Sequence, residues 1–308
     1  MTSENLPDIT GLEGPIGIVA HDSGGAEVVA AFIKKTNQKV LLALDGPAVA
    51  VFEREFGPHV PILLSEVVSQ SKWILTGTGW QSDLEWSAII EAQLAGKKVV
   101  SLLDNWVNYE SRFIRHDRKV LPDEIWVADT KARDLALLNF PSTVIRLIAV
   151  PHLYERVRSG YARGLQERES AQTGSVLFLS DNIAEAYRRK GTELPGYTDS
   201  ESLTFLIDNL QHVVGAKFPI TIRLHPSENV SSWNWAFEAY GKKVRISLNE
   251  SLVGDFVDHE IVAGSNSIAM VHAVNCGKRV LCVLRPQGQN PNIPTDGIEL
   301  LRSLVGGA

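Results

Sequence analysis

Four short segments of the 308-residue chain bring together side chains that can move protons or hold an anion. They are His21-Asp22-Ser23-Gly24-Gly25, Thr76-Gly77-Thr78-Gly79-Trp80, Leu224-His225-Pro226-Ser227-Glu228 and Gly264-Ser265-Asn266-Ser267. Each follows a short apolar run that reads as a strand, and ligands of open α/β sheets sit beyond the carboxyl ends of strands. In the last segment, Gly264 permits a tight turn, while Ser265, Asn266 and Ser267 precede an apolar helical stretch. That order offers free N–H groups, hydroxyls and a helix dipole to a phosphate. The same residues also serve as plain helix caps, because Ser and Asn are preferred there with or without a ligand.

His225 follows an apolar run from Ile220 to Leu224, and Pro226 bends the chain away from the strand direction. An imidazole at such an edge can donate a proton or a hydrogen bond to a leaving phosphate. The plainer reading is a surface histidine before a turn proline. Arg223 shares the face of His225 only if the strand runs that far, since side chains alternate along a strand. In the first half, Asp22 and Asp104 each follow a strand and are the candidates for a general base. His21, Ser23, Gly24 and Gly25 form a turn that could cradle phosphate, although a dinucleotide fingerprint needs more glycines. Asp104-Asn105-Trp106 with Asn108, Tyr109, Glu110 and Arg112 is a polar and aromatic loop of the kind that contacts sugars, or else a loop with its rings packed beneath it.

The succession of Arg223-Leu224-His225-Pro226 and Gly264-Ser265-Asn266-Ser267 resembles the HP and S motifs of bacterial sialyltransferases and Kdo-transferase-like enzymes. The resemblance covers chiefly residues 220–285, and each motif is only a few residues long. It implies the GT-B fold, a histidine on the donor phosphate, a serine motif that binds the same phosphate, and a CMP-activated sugar acid as donor. Those families carry a catalytic aspartate in an acidic pair followed by glycine, and this chain has no such tripeptide. Asp22 and Asp104 are its nearest substitutes, either of which would deprotonate the acceptor hydroxyl.

The elements that must position these residues alternate strand and helix. Strands are expected at Ile16–Ala20, Val40–Leu44, Trp73–Thr76, Val99–Leu103 and Ile125–Ala128, with helices over Gly24–Lys35, Ala48–Phe56, Asp83–Ala95 and Lys131–Leu138. A second series has strands at Val176–Leu179, Ile220–Leu224, Val244–Ile246, Ile261–Ala263 and Val280–Leu284, with helices over Ser200–Val214 and Ser267–Cys276. Such alternation predicts two Rossmann-like α/β domains facing across a cleft, as in GT-B proteins. The expected division is residues 1–150 for the acceptor, a linker or surface helix over 151–174, and residues 175–308 for the nucleotide-sugar donor.

Composition bounds the function. The net charge of -6 gives no electrostatic footprint for nucleic acid. Cys276 and Cys282 have neither zinc-site nor redox spacing, no His/Asp/Glu set has metal spacing, and no cofactor is expected. His272 reads as a packed side chain. The first residues lack a signal-peptide pattern and no apolar run reaches membrane length, so the expectation is a cytoplasmic protein. Walker and Gly-x-Ser-x-Gly patterns are absent. The leading expectation is an inverting glycosyltransferase with a nucleotide-activated donor, CMP-linked by preference, and a glycan acceptor. A nucleotide-sugar epimerase or hydrolase of the same fold is the alternative, and a non-catalytic intracellular ligand-binding protein is the alternative of another class.

Overall fold

The computed structural model describes residues 12–34, 36–79, 82–150, 154–167, 172–190, 193–194, 196–286 and 290–306. It divides into two compact units, Met1–Leu153 and Tyr154–Ala308.

In the first unit the chain runs β1 Ile16–Ala20, α1 Ser23–Ile33, β2 Val40–Leu44, α2 Pro47–Phe56, α3 Leu64–Gln70, β3 Trp73–Thr76, α4 Leu84–Leu94 and β4 Lys98–Leu102. The hairpin β5 Ile114–Arg115 and β6 Arg118–Lys119 follows, then β7 Glu124–Val127, α5 Thr130–Asn139 and β8 Val144–Leu147. Six strands form one parallel sheet in the order β2-β1-β3-β4-β7-β8. Every residue of β1, β3 and β7 is buried. Strands covered on both faces need near-continuous apolar runs, which Ile-Gly-Ile-Val-Ala and Trp-Ile-Leu-Thr supply. The winding direction reverses between β1 and β3, which opens a crevice at their carboxyl ends.

Polar groups inside this unit are tied. Glu124, 5% exposed, accepts from Lys98, Arg146 and the Trp126 indole at 2.7, 2.7 and 2.9 Å. Burial alone would raise its pKa, but these donors outweigh burial and hold it at about 2.

The second unit runs α6 Glu155–Glu167, β9 Gln172–Leu179, α7 Ile183–Lys190, α8 Asp199–Asp208, β10 Lys217–Arg223, α9 Asn234–Tyr240 and β11 Val244–Ile246. It continues with α10 Leu252–Asp258, β12 His259–Gly264, α11 Ile268–Asn275, β13 Arg279–Cys282, β14 Ile298–Leu300 and α12 Leu301–Val305. Its parallel sheet has the order β11-β10-β9-β12-β13-β14, the strand order of dinucleotide-binding folds, with its switch point between β9 and β12.

Both units are therefore Rossmann-like, wound in two different orders. Several boundaries differ from the sequence reading. Expected Val99–Leu103 and Val280–Leu284 end one and two residues earlier, and the helix expected to reach Val214 stops at Asp208. There Asn209 turns its side-chain amide onto the Phe205 carbonyl at 2.8 Å. Edge strands β8 and β14 were not anticipated. Within 151–174, residues 151–153 and 168–171 lie outside the described residues, and α6 packs with Gly160 and Gly164 against Val253 and Val257 of α10. That stretch thus carries a helix belonging to the second unit.

Candidate functional site

In the first unit, three strand ends converge on the start of α1. His21 and Asp22 leave β1, Gly77 to Gly79 leave β3, and Asp104 follows β4. His21 Nδ1 lies 2.7 Å from Asp22 Oδ1, and both side chains are partly exposed. Asp22 is the N-cap residue of α1, yet its carboxylate makes no capping bond and is left to the imidazole. Ser23 and Gly24 are exposed at the head of the helix. A Cβ on Gly24 would collide with Asp104 Oδ2, so glycine lets that carboxylate stand against the positive end of α1. Asp104 is also held by Arg112, whose Nη1 is 2.5 Å from Oδ1 and donates to Thr78 Oγ1 at 2.9 Å. The hairpin β5–β6 fixes the same loop, because Arg115 donates to the Gly79 carbonyl at 2.7 Å.

Glu85, in the first turn of α4, is the group that sequence reasoning missed. Only 1% exposed, it accepts from the His21 backbone N–H at 3.2 Å. A Cβ on Gly77 or on Gly79 would lie 2.5 Å from one of its oxygens, so the Gly-x-Gly turn is the space in which this carboxyl is housed. Burial, reinforced by the charges of Asp22 and Asp104, pushes its pKa up to about 7. The signal was available in the sequence, as an acidic residue within Leu84-Glu85-Trp86 downstream of two glycines. Trp80 lies outside the described residues.

In the second unit, His225 to Glu228 form a β-turn in which the Glu228 N–H reaches the His225 carbonyl at 2.9 Å, with proline at the position its fixed φ favours. Glu228 returns its carboxylate to the His225 N–H at 2.8 Å and accepts from the Trp233 indole at 3.3 Å. The histidine is exposed at the carboxyl edge. Beside it, at the switch point, Asp181 accepts from the Asn266 N–H at 3.0 Å and from the Ser267 hydroxyl. Burial, with the Asp199 charge next to it, pushes Asp181 up to about 7. Asn266 donates to the Tyr197 hydroxyl at 2.7 Å, and Ser267 caps α11 through the Ala269 N–H. Asp181 obeys the same strand-end rule that located the other candidates and was findable by it.

Three of the candidate features find partners inside their own unit. Arg223 Nη1 is 2.6 Å from the fully buried Asp255 and donates to the Asn249 carbonyl at 3.2 Å. It ties the end of β10 to α10. Ser265 is 1% exposed and donates to Ser202 Oγ at 2.8 Å, which leaves its hydroxyl committed inside the unit. The aromatic loop after Asp104 turns its rings inward: Trp106 donates to Asp129 at 2.8 Å, and Tyr109 stacks on Phe140 with centroids 6.2 Å apart. Gly25 is buried against Gly77, Pro226 is exposed in its turn, Gly264 closes β12, and His272 packs edge-on to Tyr154. Among the described residues, no cluster of three or more His, Cys, Asp or Glu could hold a metal ion, and no helix is long and apolar enough to cross a membrane.

No protein-family model and no curated protein sequence matches the chain. Solved structures match its fold. A glycosyltransferase from Rickettsia africae ESF-5 aligns with a TM-score of 0.56 at 11% identity over 94% of this chain and 86% of its own. A UDP-GlcNAc 2-epimerase from Neisseria meningitidis, bound to UDP-GlcNAc, aligns with a TM-score of 0.57 at 12% identity over 92% and 86%. At these identities the shared property is the fold, two Rossmann-like units in tandem.

Proposed function

We propose that the protein is an inverting glycosyltransferase that moves a sugar from a nucleotide-activated donor to a glycan acceptor. The observation that carries this reading is the gathering of Asp22, His21, Glu85 and Asp104 at the carboxyl ends of β1, β3 and β4. The exposed His225 at the corresponding edge of the second sheet supports it. Asp22 is the base of this reading, since Asp104 is neutralised by Arg112 whereas Asp22 meets only an imidazole. Its carboxylate takes the acceptor hydroxyl proton, the acceptor oxygen bonds to the anomeric carbon, and the bond from that carbon to the phosphate oxygen breaks. His225 and the Asn266–Ser267 head of α11 offset the charge that grows on the departing phosphate. The motif resemblance favours a CMP-linked sugar acid as donor.

The second reading is a nucleotide-sugar epimerase or hydrolase, favoured by the fold match to the Neisseria enzyme. Thermal-shift screening against CMP, UDP, GDP, TDP and their sugars tests the common premise, because a ligand of the native state raises its stability by mass action. CMP or a CMP-sugar should give the largest rise. Stabilisation by none of them would overturn nucleotide recognition. Product analysis with a labelled donor then separates transfer, which consumes an acceptor, from epimerisation or hydrolysis, and unaltered donor would point to a binding protein.

A further inference from the structure

The His225 turn is cross-linked to the end of β9. Asn182, two residues past the switch-point turn at Ser180, has φ of 52°, a left-handed conformation that a non-glycine residue adopts at a cost. The Asp199 carboxylate enforces it by accepting from the N–H groups on either side, Asp181 and Ile183, at 2.8 Å each. So turned, Asn182 Nδ2 donates to Ser227 Oγ at 2.8 Å. The Ser227 hydroxyl lies 2.8 Å from His225 Nδ1, and the Ser227 backbone N–H points at the same nitrogen from 3.3 Å. The backbone N–H can only donate, so Nδ1 accepts there, and the proton between Ser227 Oγ and Nδ1 must then come from the serine hydroxyl. Two donors then face one ring nitrogen, which must act as an acceptor. Among the described residues nothing is bonded to Nε2.

We propose that Ser227 and Asn182 are positioning residues that hold His225 in the Nε2–H tautomer, so that this edge presents a hydrogen-bond donor to a phosphate oxygen. The ligand class rests on the nucleotide-sugar reading above, whereas the tautomer does not. A neutral imidazole free to choose would offer an unprotonated Nε2 part of the time, and that lone pair repels an anionic oxygen. The relay removes that choice and fixes the ring plane, with Asp199 as its anchor behind Asn182 and Ser227.

The test is nitrogen-15 NMR of the His225 ring in the whole protein at alkaline pH, where free imidazoles are neutral. The wild type should show the Nε2–H pattern. Asn182→Asp reverses the relay, because a carboxylate must accept from Ser227, whose oxygen then accepts from the ring. Its spectrum should shift toward the Nδ1–H pattern. Ser227→Ala should move the two nitrogen signals part of the way to those of a free imidazole, and Ser227→Thr should restore them. Ring signals unchanged from wild type in both folded Asn182→Asp and Ser227→Ala would overturn the proposal. CMP is the ligand probe. It should move the Nε2 signal and bind the Asn182→Asp variant about tenfold more weakly. A tautomer that inverts while CMP moves nothing supports the positioning roles and overturns the nucleotide reading.

Discussion

Asp22 and Asp104 stand at matching places just past their strands, and their neighbours give them different work. Asp104 is bonded to Arg112 and set at the head of α1, while Asp22 faces the partly exposed His21. Asp22→Asn should therefore lower turnover about a hundredfold or more with little change in donor affinity or melting temperature. Asp104→Asn should instead lower the melting temperature, since it leaves the buried Arg112 without its charge partner. Turnover retained in Asp22→Asn would remove it as the base. Glu85 makes a prediction with the opposite sign from most carboxyls. Its pKa is raised on folding to about 7, so between the ordinary carboxyl value and 7 the native state binds more protons than the unfolded chain, and stability falls as pH rises. Glu85→Gln should raise the melting temperature at pH 8 and change it little at pH 4. An equal effect at both pH values would show that the carboxyl is ionised in the native state.

At the level of elements, the tie between β10 and α10 carries the next prediction. Asp255 is fully buried and receives Arg223, Ser247 and Asn249 at 2.6, 2.5 and 3.0 Å. Removing the arginine leaves that charge uncompensated, so Arg223→Ala should cost about 3–5 kcal/mol in denaturant unfolding. Affinity for any ligand should be unchanged in the fraction that remains folded. The partners of Arg223 and Ser265 were not legible, because a sequence shows where a polar side chain starts and not which partner it finds. It served better for the strands, since buried runs such as Val176–Leu179 stand out against their flanks. Edge strands escaped notice: β8 alternates exposed and half-buried residues, and β14 is half-buried throughout. Helices α3, α9, α10 and α12 have seven residues or fewer, too short for a helical period to emerge. Asp22, Asp104, His225 and Asn266 do lie just past strand ends, as the alternation of elements implied. Glu85 was missed because it reaches the same edge from a helix.

At the scale of the whole molecule, each unit has a core of its own. One cluster holds Phe52, Trp73 and Trp126 in the first unit, and the other holds Phe178, Trp233 and Ile261 in the second. Among the described residues, none belongs to both. Calorimetry should accordingly resolve two unfolding transitions, and Phe178→Ala, which empties the space facing Trp233, should lower one of them by an amount equivalent to about 3–5 kcal/mol. A single transition that moves as a whole would show that the units unfold together. Each unit also keeps at its candidate edge a carboxyl whose pKa is raised to about 7, the buried Glu85 in the first and the half-buried Asp181 in the second. A carboxylic acid absorbs in the infrared apart from the amide and carboxylate bands, and a change in its hydrogen bonding or ionisation shifts or abolishes that absorption. Near neutrality the protein thus contains two label-free vibrational reporters, one at each edge. Ligand arrival should be written into its own difference spectrum, with Glu85→Gln and Asp181→Asn assigning which edge has answered.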